Sequence, residues 1–181
     1  MKLLLSATMA VALSVTPALS VELDKDHRDL IQAAEDHGAS VYMNAPPCYM
    51  KDASGLYAIL PNVGPAIVIC QDNKEETFQQ VEWTENDLDT LRHESWHYVQ
   101  DCLDGNRDGL LLSLHDYDDE LTFGDIVESY GLMRSARIEH TYAQAGVDPK
   151  QIRNEIEAFH IAEELSAKDI ARVLRAVCPA I

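Results

Sequence analysis

Apolar residues recur along most of the chain at the spacing of a helix. Leu30, Ile31 and Ala34 keep that period within residues 23–38, and Gly38 stands where such a helix should stop. Residues 44–48, Asn-Ala-Pro-Pro-Cys, interrupt regular structure. The period then changes: in GLYAILPNVGPAIVIC two short apolar runs, 55–60 and 66–70, flank a Pro-Asn-Val-Gly-Pro turn and predict a β-hairpin. Thr84-Glu85-Asn86-Asp87 has the form of a capping box and opens a central helix over about 85–103. Residues 104–124 are predicted as a long acidic loop. Helical spacing returns in 125–146, read as one helix ending at Gly146, and again from Pro149 to about Leu165. A last helix, capped by Ser166-Ala167-Lys168-Asp169, runs to about Val177. The fold class is therefore α+β: mostly helical, with a small antiparallel sheet before the central helix.

The central helix has two kinds of face. At 100° per residue, Leu88, Leu91, Ser95, Val99 and Cys102 share one side, with Trp96 and Tyr98 at its edges. His93 and His97 fall together on another side about 40° apart, and Glu94 lies about 60° beyond His97. Residues 93–97 read His-Glu-Ser-Trp-His, an HExxH sequence. A histidine pair four residues apart on one helical face can chelate a single ion, and the glutamate beside it can reach a water on that ion.

Composition sets the surroundings of that site. Lys2 followed by the apolar run Leu3–Val15 and by Ala18-Leu19-Ser20 has the form of a signal peptide with its cleavage site, so residues 1–20 are expected to be removed. Residues 21–181 then form one domain of a secreted or periplasmic protein. Of the 14 Lys and Arg residues only Lys2 lies in the leader, which leaves 13 against 31 Asp and Glu, a formal charge of −18. Such a surface repels nucleic acid and anionic lipid, so neither is expected as a partner. The chain is read as a monomer. All four cysteines follow the leader and form no CxxC pair, which points to two disulfides. Of the three pairings, Cys48–Cys70 would close the hairpin, and Cys102–Cys178 would tie the chain's end to the HExxH helix.

A zinc site needs a third protein ligand and one open position. A histidine at 103, which a metzincin requires, is absent, because Leu103 stands there. Later glutamates are the alternative: Glu128, Glu139, Glu155, Glu157, Glu163 and Glu164. In KQIRNEIEAFHIAEEL the apolar residues Ile152, Ile156, Ala158, Phe159, Ala162 and Leu165 surround Glu155, while Glu157 lies about 160° away and should face solvent. A buried carboxylate without a positive partner is costly. Zinc would supply one for Glu155, and so would a cation such as Arg137.

Arg92 to Cys102 together with Glu155-Ile156-Glu157-Ala158 resemble the gluzincin type of HExxH metallopeptidase. They are also similar to small exported proteins with RHExWHxVQDC, ExEA and a C-terminal cysteine. The resemblance implies a minimal zincin-like domain with one zinc per chain held by His93, His97 and Glu155. It implies Glu94 as general base, a peptide or protein substrate, and alignment of that substrate along the 55–70 hairpin. Where many gluzincins carry an aspartate that orients the first histidine, this chain has Phe159, so the orienting group must come from elsewhere, such as Asp101 or Asp104. An oxyanion donor is open among His115, Tyr130, His140, Tyr142 and His160. Two other functions fit the same residues: a zinc-stabilised binding protein without catalysis, and a disulfide-stabilised interaction domain without metal. Asp104, Asn106, Asp108 and Gly109 match the start of a calcium loop, but His115 stands at its twelfth position, where a bidentate Glu belongs.

Overall fold

The computed structural model describes residues 20–50, 53–75, 79–103, 105–113 and 120–180, the side chains of 120–123 excepted. The expected signal segment, up to Leu19, lies outside them, as do Asp104 and His115. The described elements are α1 (Lys25–Asp36), β1 (Ser40–Met43), a 3-10 turn (Pro46–Tyr49), β2 (Gly55–Leu60), β3 (Gly64–Ile69), α2 (Glu85–Cys102), α3 (Glu120–Tyr130), α4 (Leu132–Gln144), α5 (Pro149–Glu164) and α6 (Ala167–Val177). This is a mostly helical α+β fold.

The hairpin forms as its apolar runs suggest, with β2 antiparallel to β3. The sheet has a third strand that periodicity did not single out. β1, only four residues long, pairs parallel with β3, so the sheet is mixed, in the order β1-β3-β2, rather than antiparallel. β3 is the central strand and buries Ala66 to Ile69. The stretch read as one helix over 125–146 is two, because Gly131 adopts φ 103° between α3 and α4, a conformation costly for any residue with a Cβ. α3 also begins at Glu120, inside the stretch expected to be loop.

The main core gathers Leu30, Ala33 and Ala34 of α1, Ile67 and Ile69 of β3, Leu88, Leu91, Trp96 and Val99 of α2, and Ile170, Ala171 and Leu174 of α6. A second, smaller cluster joins Ile126 of α3 to Ile152 and Ile156 of α5, with Tyr130, Ile138 and Tyr142 against it. The α3–α4 pair thus packs on one side of α5 as a wing. Two rows of apolar residues on α5 serve these two clusters, and Glu155 lies between the rows.

Helix α2 is fixed at both ends. Thr84 Oγ1 accepts from the Asp87 amide at 3.1 Å, and Asp87 Oδ2 accepts from the Thr84 amide at 2.9 Å, which completes the capping box. At the other end Cys102 is bonded to Cys178, and Cys48 is bonded to Cys70, as the sequence suggests. Cys102–Cys178 closes 76 residues and Cys48–Cys70 closes 22. From loop closure, removing Cys102–Cys178 as a Ser/Ser pair should cost roughly 4.5 kcal/mol and removing Cys48–Cys70 roughly 3.4. Urea unfolding of the two double variants should show that order; equal midpoints would contradict it. No helix among the described residues is long and apolar enough to cross a membrane.

Candidate metal-binding site

His93, Glu94 and His97 are all buried on α2, and their ligand atoms lie within 4.8 Å of one another, a group that could hold a metal ion. The two imidazoles present their Nε2 atoms to each other at 3.0 Å. Glu155 reaches them from α5. Its Oε2 is 3.3 Å from His93 Nε2 and its Oε1 is 3.5 Å from His97 Nε2. The separation in sequence is about sixty residues, and the packing of α5 on α2 closes it. Arg92 secures that packing, because its Nε donates to the Ala162 carbonyl on α5 at 2.9 Å.

The electrostatics follow from burial among opposite charges. Burial raises the Glu155 carboxyl, but hydrogen bonds and charges from His93 and His97 outweigh it and hold the group well below the usual carboxylate range. For His97, burial pulls the imidazole down, yet the bonds and charges of Glu155, with smaller effects of Glu94 and Gln100, hold it up at about 9. Burial pushes Glu94 up, against the charges of the two histidines and a hydrogen bond from the Tyr57 backbone amide.

That amide belongs to β2, an edge strand, and it shows how closely the sheet approaches the site. A Cβ added at Gly55 would lie 2.6 Å from Thr90 Cγ2 and 2.9 Å from Glu94 Oε1, so a side chain there would force strand and helix apart. Beside His93 and Glu94 opens a cavity of about 650 Å³. Ser54 and Gly55 form one wall, Tyr130 and Tyr142 of the wing form the other, and His93, Glu94 and Phe159 lie between them. A second cavity of about 840 Å³ continues past Tyr142 and Phe159 along the wing.

The oxyanion candidates separate clearly. Tyr142 hydrogen-bonds Glu155, and burial together with that carboxylate pushes its hydroxyl well above the usual tyrosine range. Tyr130 lines both cavities. His140 is exposed and its ring contacts Gln144 Nε2 at 2.9 Å, whereas His160 packs edge-on to Tyr130. His115 is outside the described residues. Glu128 and Glu139 are exposed, and the ion pairs of Glu155 are made with the two histidines rather than with Arg137.

Two expectations are corrected. Glu157 does not face solvent; it is fully buried. Its Oε1 accepts from Trp96 Nε1 at 2.8 Å and from Gln100 Nε2 at 3.2 Å, and its Oε2 accepts from the Ser113 hydroxyl. Polar partners on α2 and on the 105–113 segment cover it, and a count of apolar neighbours along one helix does not register them. Asp101 orients neither His93 nor His97; its carboxylate accepts from the Tyr57 hydroxyl and from the Gly109 amide. Gln100 meets the second histidine instead, with Oε1 2.7 Å from His97 Nδ1. Its position three residues after His97 was the available signal. For the other imidazole, Phe159 packs against the His93 ring at 4.3 Å between centroids.

No family model matches the chain, and neither does any curated protein or solved structure.

Proposed function

We propose that this is an exported zinc-dependent metallopeptidase of gluzincin type, with His93, His97 and Glu155 as the zinc ligands. One observation carries the reading. A tetrahedral ion bound at about 2.0–2.1 Å spaces its ligand atoms roughly 3.3–3.4 Å apart. The two Nε2 atoms and the Glu155 oxygens stand 3.0, 3.3 and 3.5 Å from one another. Two imidazoles and one carboxylate, with a side open to a cavity, form the donor set of a catalytic rather than a structural zinc site. A zinc ion held there supplies Lewis acidity and lowers the pKa of a water on it towards about 7.

The remaining chemistry belongs to the chain. Glu94 Oε1 takes the proton from the attacking water and returns it to the leaving amine. The Tyr57 amide holds that carboxylate in place. Tyr142, kept protonated by its surroundings, turns its hydroxyl from Glu155 to donate a hydrogen bond to the oxyanion. The free side of β2 near Gly55 aligns an extended peptide by strand addition. The two disulfides fit an oxidising compartment outside the cytoplasm.

Purified protein should retain about one zinc per chain after dialysis, measured by elemental analysis; a metal-free protein that is folded and stays so with added zinc would favour an interaction domain instead. Tyr142→Phe should keep the metal and lower kcat by about 10²–10³, the usual cost of one oxyanion donor. Unchanged kcat would remove Tyr142 from that role.

A further inference from the structure

We infer that Gln100, clamped by Glu157, is a positioning residue that sets the tautomer and ring orientation of His97; this rests on His97 being a metal ligand. An imidazole can bind an ion through Nε2 only if its other nitrogen carries the proton, and that proton needs an acceptor when the ring is buried. Here both residues are fully buried or nearly so, with Gln100 at 0 % exposure and His97 at 4 %.

The amide of a glutamine has two ends of almost equal size, and only its neighbours decide which way it points. Gln100 Nε2 lies 3.2 Å from the Asn154 carbonyl oxygen and 3.2 Å from Glu157 Oε1. A carbonyl only accepts. Glu157 Oε1 already accepts from Trp96 Nε1 at 2.8 Å, so it too presents an acceptor. The opposite orientation would set the Gln100 carbonyl against two acceptors and its NH₂ against His97. The NH₂ group therefore faces α5, and Oε1 faces His97 Nδ1 at 2.7 Å. Nδ1 must then donate, which leaves Nε2 directed at His93 Nε2 and Glu155.

The result is a carboxylate–amide–imidazole chain in place of a direct carboxylate–imidazole contact. Each link polarises the next in a dry environment. The Asn154 carbonyl and Glu157 fix the amide's direction together, and Trp96 and Ser113 hold Glu157. His93 lacks such a partner: its buried Nδ1 has none among the described residues, and the contact with Phe159 holds its ring instead. Of the two histidines, His97 is thus the one oriented by hydrogen bonding.

The test compares zinc affinity, by competition with a chromophoric chelator, and the nitrogen NMR signature of the His97 tautomer. It uses the full secreted chain as wild type and Gln100→Met. The methionine removes the acceptor at similar volume. Gln100→Met should bind zinc about 10–100-fold more weakly, the usual cost of an outer partner. It should also lose the single Nδ1–H signature that the wild type shows. Wild-type affinity in Gln100→Met, or an unchanged Nδ1–H signature, would overturn the positioning role while leaving the zinc site standing. If Gln100→Met does not fold, the wild-type spectrum decides: a His97 that carries its proton on Nε2 overturns the role. A wild-type protein that binds no zinc would instead remove the metal site and this inference with it.

Discussion

Replacing Glu94 by Gln is expected to lower kcat/KM for peptide hydrolysis by about 10²–10⁴, the contribution of a positioned general base, with zinc content unchanged. The side chains have nearly the same size, so the exchange leaves the cavity wall and the approach of β2 intact. The Tyr57 amide, which now donates to the carboxylate, can donate to the Gln carbonyl instead. What disappears is the capacity to accept a proton and release it to the leaving amine. Glu94 is buried against the two histidines, and its Oε1 lies beside the Gly55 end of β2, where the proposed substrate strand would run. The measurement is kcat/KM on a peptide that the wild type cleaves, with metal analysis of both proteins. A variant that keeps zinc and full activity would overturn the role of Glu94. If wild type and variant are both inactive yet hold zinc, the chain is a zinc-stabilised binding protein.

Residues differ in how plainly the sequence announces them, and the reason is where their partners lie. His93, Glu94 and His97 are within one turn of α2, so helical phase alone places them on a shared side. Glu155 could be picked out because the apolar residues around it on α5 are local as well. The two cysteine pairs were legible from their positions at the ends of a hairpin and of two helices. Glu157 was misread for the converse reason. Its burial depends on Trp96, Gln100 and Ser113, which lie at least 44 residues away in sequence and are polar where they touch it. Gln100 carries no local sign of its use, which requires two acceptors from α5. β1 is four residues long and gains its strand character from parallel pairing to β3, which no local alternation reveals. The break at Gly131 divides a stretch whose apolar spacing reads as continuous, and only the left-handed backbone there separates α3 from α4.

Two glutamates that neighbour each other on α5 should therefore fail in different ways. Glu155→Ala removes a ligand and leaves two imidazoles, so zinc affinity should fall by more than the roughly 10–100-fold lost with an outer partner, and hydrolysis should fall with it. The fold should survive, because the Glu155 side chain is 19 % exposed and belongs to neither apolar cluster. Glu157→Ala acts on the fold first. It strips the acceptor from the buried Trp96 Nε1, which costs about 1–3 kcal/mol when left unpaired, takes one of the two acceptors of Gln100 Nε2, and opens a void between α2 and α5. Its urea midpoint should drop sharply, well beyond that of Glu155→Ala. Chelator competition and urea unfolding on both variants separate the two roles. If Glu157→Ala keeps its stability but loses zinc outright while Glu155→Ala binds as wild type does, the third ligand has been assigned to the wrong glutamate.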